Sequence, residues 1–418
     1  MSRPEAEDLV TGIPRQLRGA AAGAEPRPAP RPSLAARSGD GLADGFTAFT
    51  GRALGRYQAA VVRIGFGLVF TLQLLLEWPH RRELYGDRAA WSLDLARQLL
   101  REDHAFTVLA WTGDRWWFEA VYHLGILAGV LMVLGWRTRA SSVLFLVTVL
   151  SLQNRSVLIG DGGDNIVHLM AVYLVFTRSA EVWSLDARRA RRHVRATGHD
   201  WPGVLVWTVL GGLLAAAQLA GRIGWDGPGG GPDPGWEVFF WTLWGVAGLW
   251  YVVNRRRPHG EPRAVLDALA NMLHNCALLV IGAQVVLVYA TAGWYKVQGA
   301  RWQDGTALYY PLHLDYFTPW PGLAGWLGSS ALLVFAITYG TVLVQVAFPF
   351  TLLNRRLKNV LLALMMLEHL GIAVLLGLPV FSLAMIAADA VFLPTGALLW
   401  LAERVRTDVR RVRALLLR

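Results

Sequence analysis

Cysteine is almost absent. Cys276 is the sole one in 418 residues, so neither an internal disulfide nor a Cys-x-x-Cys redox pair can form. It lies in an apolar run and reads as a small buried hydrophobe. Charge is scarce as well: Asp, Glu, Lys and Arg make up 17% of the chain, where soluble domains carry about a quarter. Metal-ligand spacing is equally thin, since the one Glu-x-x-His pair, Glu77 and His80, runs through Pro79. No inverted repeat and no matching pair of interrupted helices of the transporter kind is visible. The formal net charge is +10, yet no soluble domain gathers that charge into a stripe, which argues against a nucleic-acid partner.

What the chain does have is oil. Hydrophobic residues make up 54%, tryptophans number 19, and the mean hydropathy is +0.37. Several apolar runs reach the ~20 residues that cross a hydrocarbon core. The expected fold is an all-α polytopic bundle of about ten transmembrane helices. The spans fall near 57–77, 117–136, 140–158, 164–182, 202–222, 236–253, 271–294, 330–352, 359–377 and 380–402. Residues 1–52 are rich in Arg, Pro and Ala and read as a disordered cytoplasmic tail. The bundle occupies 53–403, with 195–263 holding an inserted helix pair, and 404–418 form a basic cytoplasmic tail. No short apolar core of a secretory signal precedes the first span, so that span directs insertion.

Loop arginines orient these spans. Arg137 and Arg139, Arg188 to Arg195, Arg255 to Arg257 with Arg263, Arg355, Arg356 and Lys358, and Arg404 to Arg413 fall in alternate connections. Loops 223–235 and 378–379 hold no Lys or Arg. The positive-inside rule then puts both termini in the cytoplasm of a multi-pass protein of the cell membrane. Its partners are the bilayer and the anionic headgroups of the cytoplasmic face. Residues 78–116 carry both signs and read as an interfacial or re-entrant helical loop. Gly227 to Gly235 read as a flexible outer linker.

Ionisable groups at bilayer depth are expensive and each calls for a partner. They are Arg63, Glu119, His123, His168, His274, Glu368, His369 and Asp389, with the polar amide of Gln284 beside them on the seventh span. Arg63 is expected to pair with one of the acids in a structural role. Glu119, His123, Glu368, His369 and Asp389 are the set a metal would need, although nothing in the spacing brings them to one level and buried ion pairs are the simpler reading. In Gly160-Asp161-Gly162-Gly163-Asp164 the second aspartate reads as the N-cap of the fourth span, and Asp186 as the cap of a cytoplasmic helix bearing arginines.

Gln284-Val-Val-Leu-Val-Tyr-Ala-Thr-Ala-Gly-Trp-Tyr-Lys296 is the stretch with the most chemistry. It starts apolar and ends in a lysine just past the last apolar turn. An amine at a membrane boundary is only partly solvated and can serve as a base. The plainer reading is a lysine that snorkels to the headgroups and anchors the helix.

Several ordered pieces resemble a known family. They are Arg63-Ile-Gly-Phe-Gly, Leu134-Gly-Trp-Arg-Thr-Arg-Ala-Ser-Ser-Val-Leu-Phe, Trp183-Ser-Leu-Asp186, Gln284…Tyr289…Ala292-Gly293…Lys296…Trp302-Gln-Asp-Gly305, and His369 with Asp389-Ala-Val-Phe. Together these resemble the bacterial horizontally transferred transmembrane (HTTM) family, relatives of the vitamin K-dependent γ-glutamyl carboxylase. The resemblance implies that Lys296 is the base that deprotonates a hydroquinone. It further implies that His369 joins it in the catalytic set and that Gln284, Tyr289 and Trp302 line a quinone site. The chain departs from the carboxylase in three places. It reads Gly163-Asp164-Asn165 where the carboxylase has Asn-Asn-His, with His168 the nearest histidine. It lacks a counterpart of the large propeptide-binding domain, and it adds the helix pair. Quinone-linked chemistry at the extracytoplasmic face is therefore expected rather than glutamate carboxylation. The alternative is a non-catalytic membrane protein for immunity, transport or assembly, in which the same polar residues act as glue.

Overall fold

The computed structural model describes residues 34–102, 105–193, 200–223 and 235–416, and among them every regular element is a helix. The chain forms two units, Met1–Ala48 and Phe49–Arg418. Of the tail read as disordered, residues 1–33 lie outside the described residues. Leu34–Gly51 is instead a helix, α1, as its alanines and leucines favour. Then come α2 (Arg56–Leu76), α3 (Arg81–Leu84), α4 (Leu93–Glu102), α5 (Arg115–Leu134), α6 (Thr138–Gln153), α7 (Gly162–Phe176) and α8 (Leu185–His193). The chain continues with α9 (Trp201–Leu219), α10 (Trp236–Arg256), α11 (Glu261–Gln298), α12 (Ala300–Gln303) and α13 (Pro321–Gly328). It ends with α14 (Ala331–Thr351), α15 (Arg355–Leu375), α16 (Pro379–Asp389) and α17 (Thr395–Leu416). The linker read at 227–235 lies, but for Gly235, outside the described residues.

Among the described residues, seven helices are long and apolar enough to cross a membrane: α2, α5, α9, α10, α11, α14 and α15. Shorter apolar helices at Thr138–Gln153, Gly162–Phe176 and Pro379–Phe392 fall where the other three spans are expected. The chain is thus a multi-pass, all-helical membrane protein. The last expected span, 380–402, is broken. Pro394 has no N–H to continue a helix, so α16 gives way to a short 3-10 turn at Ala390–Phe392 and a fresh helix starts at Thr395. The carbonyls freed at Phe392 and Leu393 are taken by Lys358 Nζ and by Gln58 Nε2 at 2.7 Å. The arginines of the expected basic tail, Arg404 to Arg413, continue along α17.

In the larger unit, α2 is the central post. It packs on α5, α7 and α16. Small residues let the backbones touch: a Cβ at Gly67 would lie 2.8 Å from the Gly129 carbonyl, and one at Gly65 2.6 Å from Ala387 Cβ. Close approach through glycine and alanine is the membrane substitute for a hydrophobic drive between helices. The pair α9 and α10 stands to the side. Trp207 and Trp244 stack at 4.0 Å, and each indole N–H donates to the other's carbonyl at 3.0 Å. Gly211 and Gly248 make room for the rings.

At one end of the bundle, Arg63 departs from expectation. Fully buried, it pairs with no acid among the described residues but donates to four carbonyls: Met132, Val133 at 3.2 Å, Ser179 at 3.3 Å and Trp183 at 2.9 Å. A guanidinium supplies five N–H donors in a fixed fork, which suits the frayed carbonyl end of α5 and the turn after α7. Gly135 closes α5 at φ +61°, and a Cβ there would lie 2.8 Å from Arg63 Nη1.

Asp186 caps a different helix from the one predicted. Its carboxylate accepts from Arg137 N at 2.9 Å, Thr138 N at 2.7 Å and the Thr138 hydroxyl at 2.9 Å, all at the start of α6. Ser184 Oγ accepts from Ala187 N and caps α8 instead. Asp186→Ala should therefore cost about 2 kcal/mol, measured as an earlier transition in an SDS titration. An unchanged midpoint would mean that α6 is started by other contacts.

On α11, Asn271 and Asn275 donate to the carbonyls of Thr50 and Phe49, and His274 bridges Leu54 O at 2.7 Å and Arg178 N at 2.9 Å. Because Nδ1 accepts from an N–H, the His274 proton is on Nε2 and its role is structural. Cys276, read as buried, is exposed on the outer face of α11.

Candidate functional site

Lys296 is not beyond the helix but in its last turn, because α11 runs on to Gln298. From His274 to Lys296 the helix rises about 33 Å, close to the thickness of a bilayer core. The lysine end and the Arg63 end are therefore opposite ends of the bundle. Tyr289 precedes Lys296 by seven residues, two turns, so both project from one face of α11. Gly293 lies between them. A Cβ there would sit 2.8 Å from Val346 Cγ2, so the glycine is what lets α14 come close.

That approach presents Gln345 to the lysine. Lys296 Nζ donates to Gln345 Oε1 at 2.9 Å, and Gln345 Nε2 donates to Glu368 Oε1 at 2.6 Å. The ammonium also lies 5.1 Å from the centroid of the Trp302 ring, within cation–π range. The chain from 302 is clamped to α14: Tyr339 donates to the Gln303 carbonyl, and Gly305, at φ +76°, leaves no room for a Cβ against Phe335. In this loop the Thr306 hydroxyl holds the Asp304 carboxyl below the usual carboxylate range.

The next residue of α15 begins a second string. The Tyr289 hydroxyl lies 3.0 Å from His369 Nε2 and donates to Asp389, 3.1 Å from Oδ1 and 3.0 Å from Oδ2. Tyr289 is 1% exposed, His369 3% and Asp389 0%, so these bonds are shielded from bulk solvent. Phe348 packs on Tyr289 and Phe381 on His369. Nδ1 of His369 is buried and meets no hydrogen-bond partner among the described residues.

Of the residues expected at the site, Lys296 and Trp302 meet in one string, and Tyr289 and His369 in the other. Gln284 joins neither. Five residues separate it from Tyr289, which turns it ~140° away around the helix. His168 makes no hydrogen bond to either string among the described residues. Glu119 is held by Arg81 in a bidentate pair, at 3.0 and 3.2 Å, with His123 beside it, so the five residues weighed for a metal do not assemble. Asp161, rather than Asp164, is the N-cap of α7, and Asp164 returns a bond to the Asp161 N–H in a capping box. Gln345 was not foreseen. Its signal was there, as the single amide in an otherwise apolar α14.

Gly293→Val should push α14 away and break the Lys296–Gln345 contact. Overpacking of this kind costs about 1–3 kcal/mol. Crosslinking between cysteines at 296 and 345 should fall in the valine variant, and equal yields would refute the glycine's role.

Fold and site together define a multi-pass helical membrane protein with two neighbouring polar strings, one half-buried through Lys296, Gln345 and Glu368 and one buried through Tyr289, His369 and Asp389. Compared with known proteins, the chain matches no family model, no curated protein and no solved structure.

Proposed function

We propose that this chain is an HTTM-type membrane enzyme that moves a proton to or from a lipid-soluble ring hydroxyl, as in a quinol. Ten helices cross the cell membrane, both termini are cytoplasmic, and the Lys296 end faces outward. The alternating arginine loops support that orientation. Lys296 takes the hydroxyl proton, Trp302 flanks the ring, and Gln345 and Glu368 fix the amine's position.

The observation that carries this reading is the direction of Lys296. An anchoring lysine extends to the headgroups, whereas this amine turns into the bundle and bonds a side chain that is itself 5% exposed. A desolvated, positioned amine can exchange protons with a bound group where a hydrated one only neutralises phosphate. The test is quinol oxidation by dissolved dioxygen, which takes up the two electrons, with the protein reconstituted in vesicles. Lys296→Met should lose it, and unchanged turnover would rule the role out.

A further inference from the structure

Tyr289 has one proton to give. When it donates to the Asp389 carboxylate, it can only accept from His369, so the His369 proton is on Nε2 and Nδ1 is an open acceptor. A second arrangement fits the same heavy atoms. If Asp389 holds a proton and donates it to Tyr289, Tyr289 donates to Nε2 and Nδ1 carries the hydrogen. The second state holds one proton more than the first, taken up at Nδ1 while the inner protons each shift one place along the His369–Tyr289 contact of 3.0 Å and the Tyr289–Asp389 contacts of 3.0 to 3.1 Å. Seen from outside the triad, Nδ1 accepts in the first state and donates in the second, and the charge on Asp389 is neutralised. Within the triad that atom is left without a partner among the described residues, on a residue 97% shielded. An orphaned buried nitrogen costs about 1–3 kcal/mol unless something bonds to it.

We infer that Asp389, Tyr289 and His369 form a proton wire, with His369 Nδ1 as the end that exchanges a proton with a ring hydroxyl other than the one Lys296 serves. The identity of that hydroxyl rests on the quinol reading above; the wire itself does not. In the forward direction the substrate O–H breaks as Nδ1–H forms, Nε2–H passes to the Tyr289 oxygen, and the Tyr289 proton passes to Asp389. One negative charge moves from the carboxylate to the substrate oxygen, and no electron changes hands. His369 stays neutral in both states. Among the described residues Lys296 and Glu368 are ionisable neighbours that belong to the separate string through Gln345, and Asp161 and Asp164 at the start of α7 lie behind the Phe381 ring that packs on His369.

The test is 15N spectroscopy of histidine-labelled protein in nanodiscs, with His369→Gln to assign the signal. As the pH changes, the His369 proton should move between Nε2 and Nδ1 without the ring ever gaining a second proton. Tyr289→Phe should abolish that tautomer shift, and Asp389→Asn gives the same readout should the phenylalanine variant not fold. A doubly protonated His369, or a shift that persists in both variants, overturns the wire. A second arm adds 2-naphthol or 2-methoxynaphthalene. Only the naphthol, which carries a hydroxyl, should move the Nδ1 resonance. A naphthol without effect on a wire that otherwise passes its test would remove the quinol reading and leave the wire standing.

Discussion

Lys296→Met should lower quinol turnover about 10²- to 10⁴-fold, the usual contribution of a positioned proton acceptor, while the protein still folds. Methionine keeps the unbranched, flexible shape of the lysine stem and packs in the same groove. What is lost is the bond to Gln345 and the charge near Trp302. The freed Gln345 Oε1 costs about 1–3 kcal/mol, so the thermal transition should move by only a few degrees. Lys296→Arg is the informative companion. It keeps a cation and can still reach Gln345, but a guanidinium does not give up its proton. If arginine restores turnover, the residue supplies charge and not proton transfer. Turnover is measured by quinol absorbance in vesicles, stability by a parallel melting curve.

The second large effect belongs to the opposite end. Arg63→Met should remove most folded protein. Four carbonyls from α5 and the segment after α7 converge on one guanidinium that water does not reach. Withdrawing it leaves several acceptors unbonded at once, and breaking a buried charged network costs about 3–5 kcal/mol, a large share of a typical 5–15 kcal/mol stability. Arg63→Lys should rescue little, because one ammonium cannot span carbonyls arranged for a planar fork. Size-exclusion profiles of the purified variants decide this. A sharp monodisperse peak for Arg63→Met at wild-type yield would contradict it.

Much of the fold was legible because apolar runs and their interruptions are a direct imprint of the bilayer. The seven long apolar helices lie on expected spans, although α11 starts ten residues early at Glu261 and the last expected span is broken; the Tyr289–Lys296 register follows from counting turns. What the sequence did not disclose is which faces meet. Asp186 was read as a cap for its own helix, but the loop folds back and offers it to α6. Arg63 was matched to an acid, although helix-end carbonyls are just as able to hold a guanidinium and are invisible in a string of letters. Gln345 escaped notice because an amide in an apolar helix has no meaning until its neighbour is known, and that neighbour arrives through Gly293. Asp389 was singled out as a costly polar group, yet only the break at the end of α16 and the packing on α15 bring it to Tyr289.

The most direct measurement is mass spectrometry of the small molecules that remain on gently purified protein. A site for a lipid-soluble ring should carry a quinone or quinol in the wild type, and Gly293→Val, with its separated helices, should carry much less. Protein that holds phospholipid alone, in wild type and variant equally, would contradict a proton-transfer site at Lys296 and favour a structural role for the cluster.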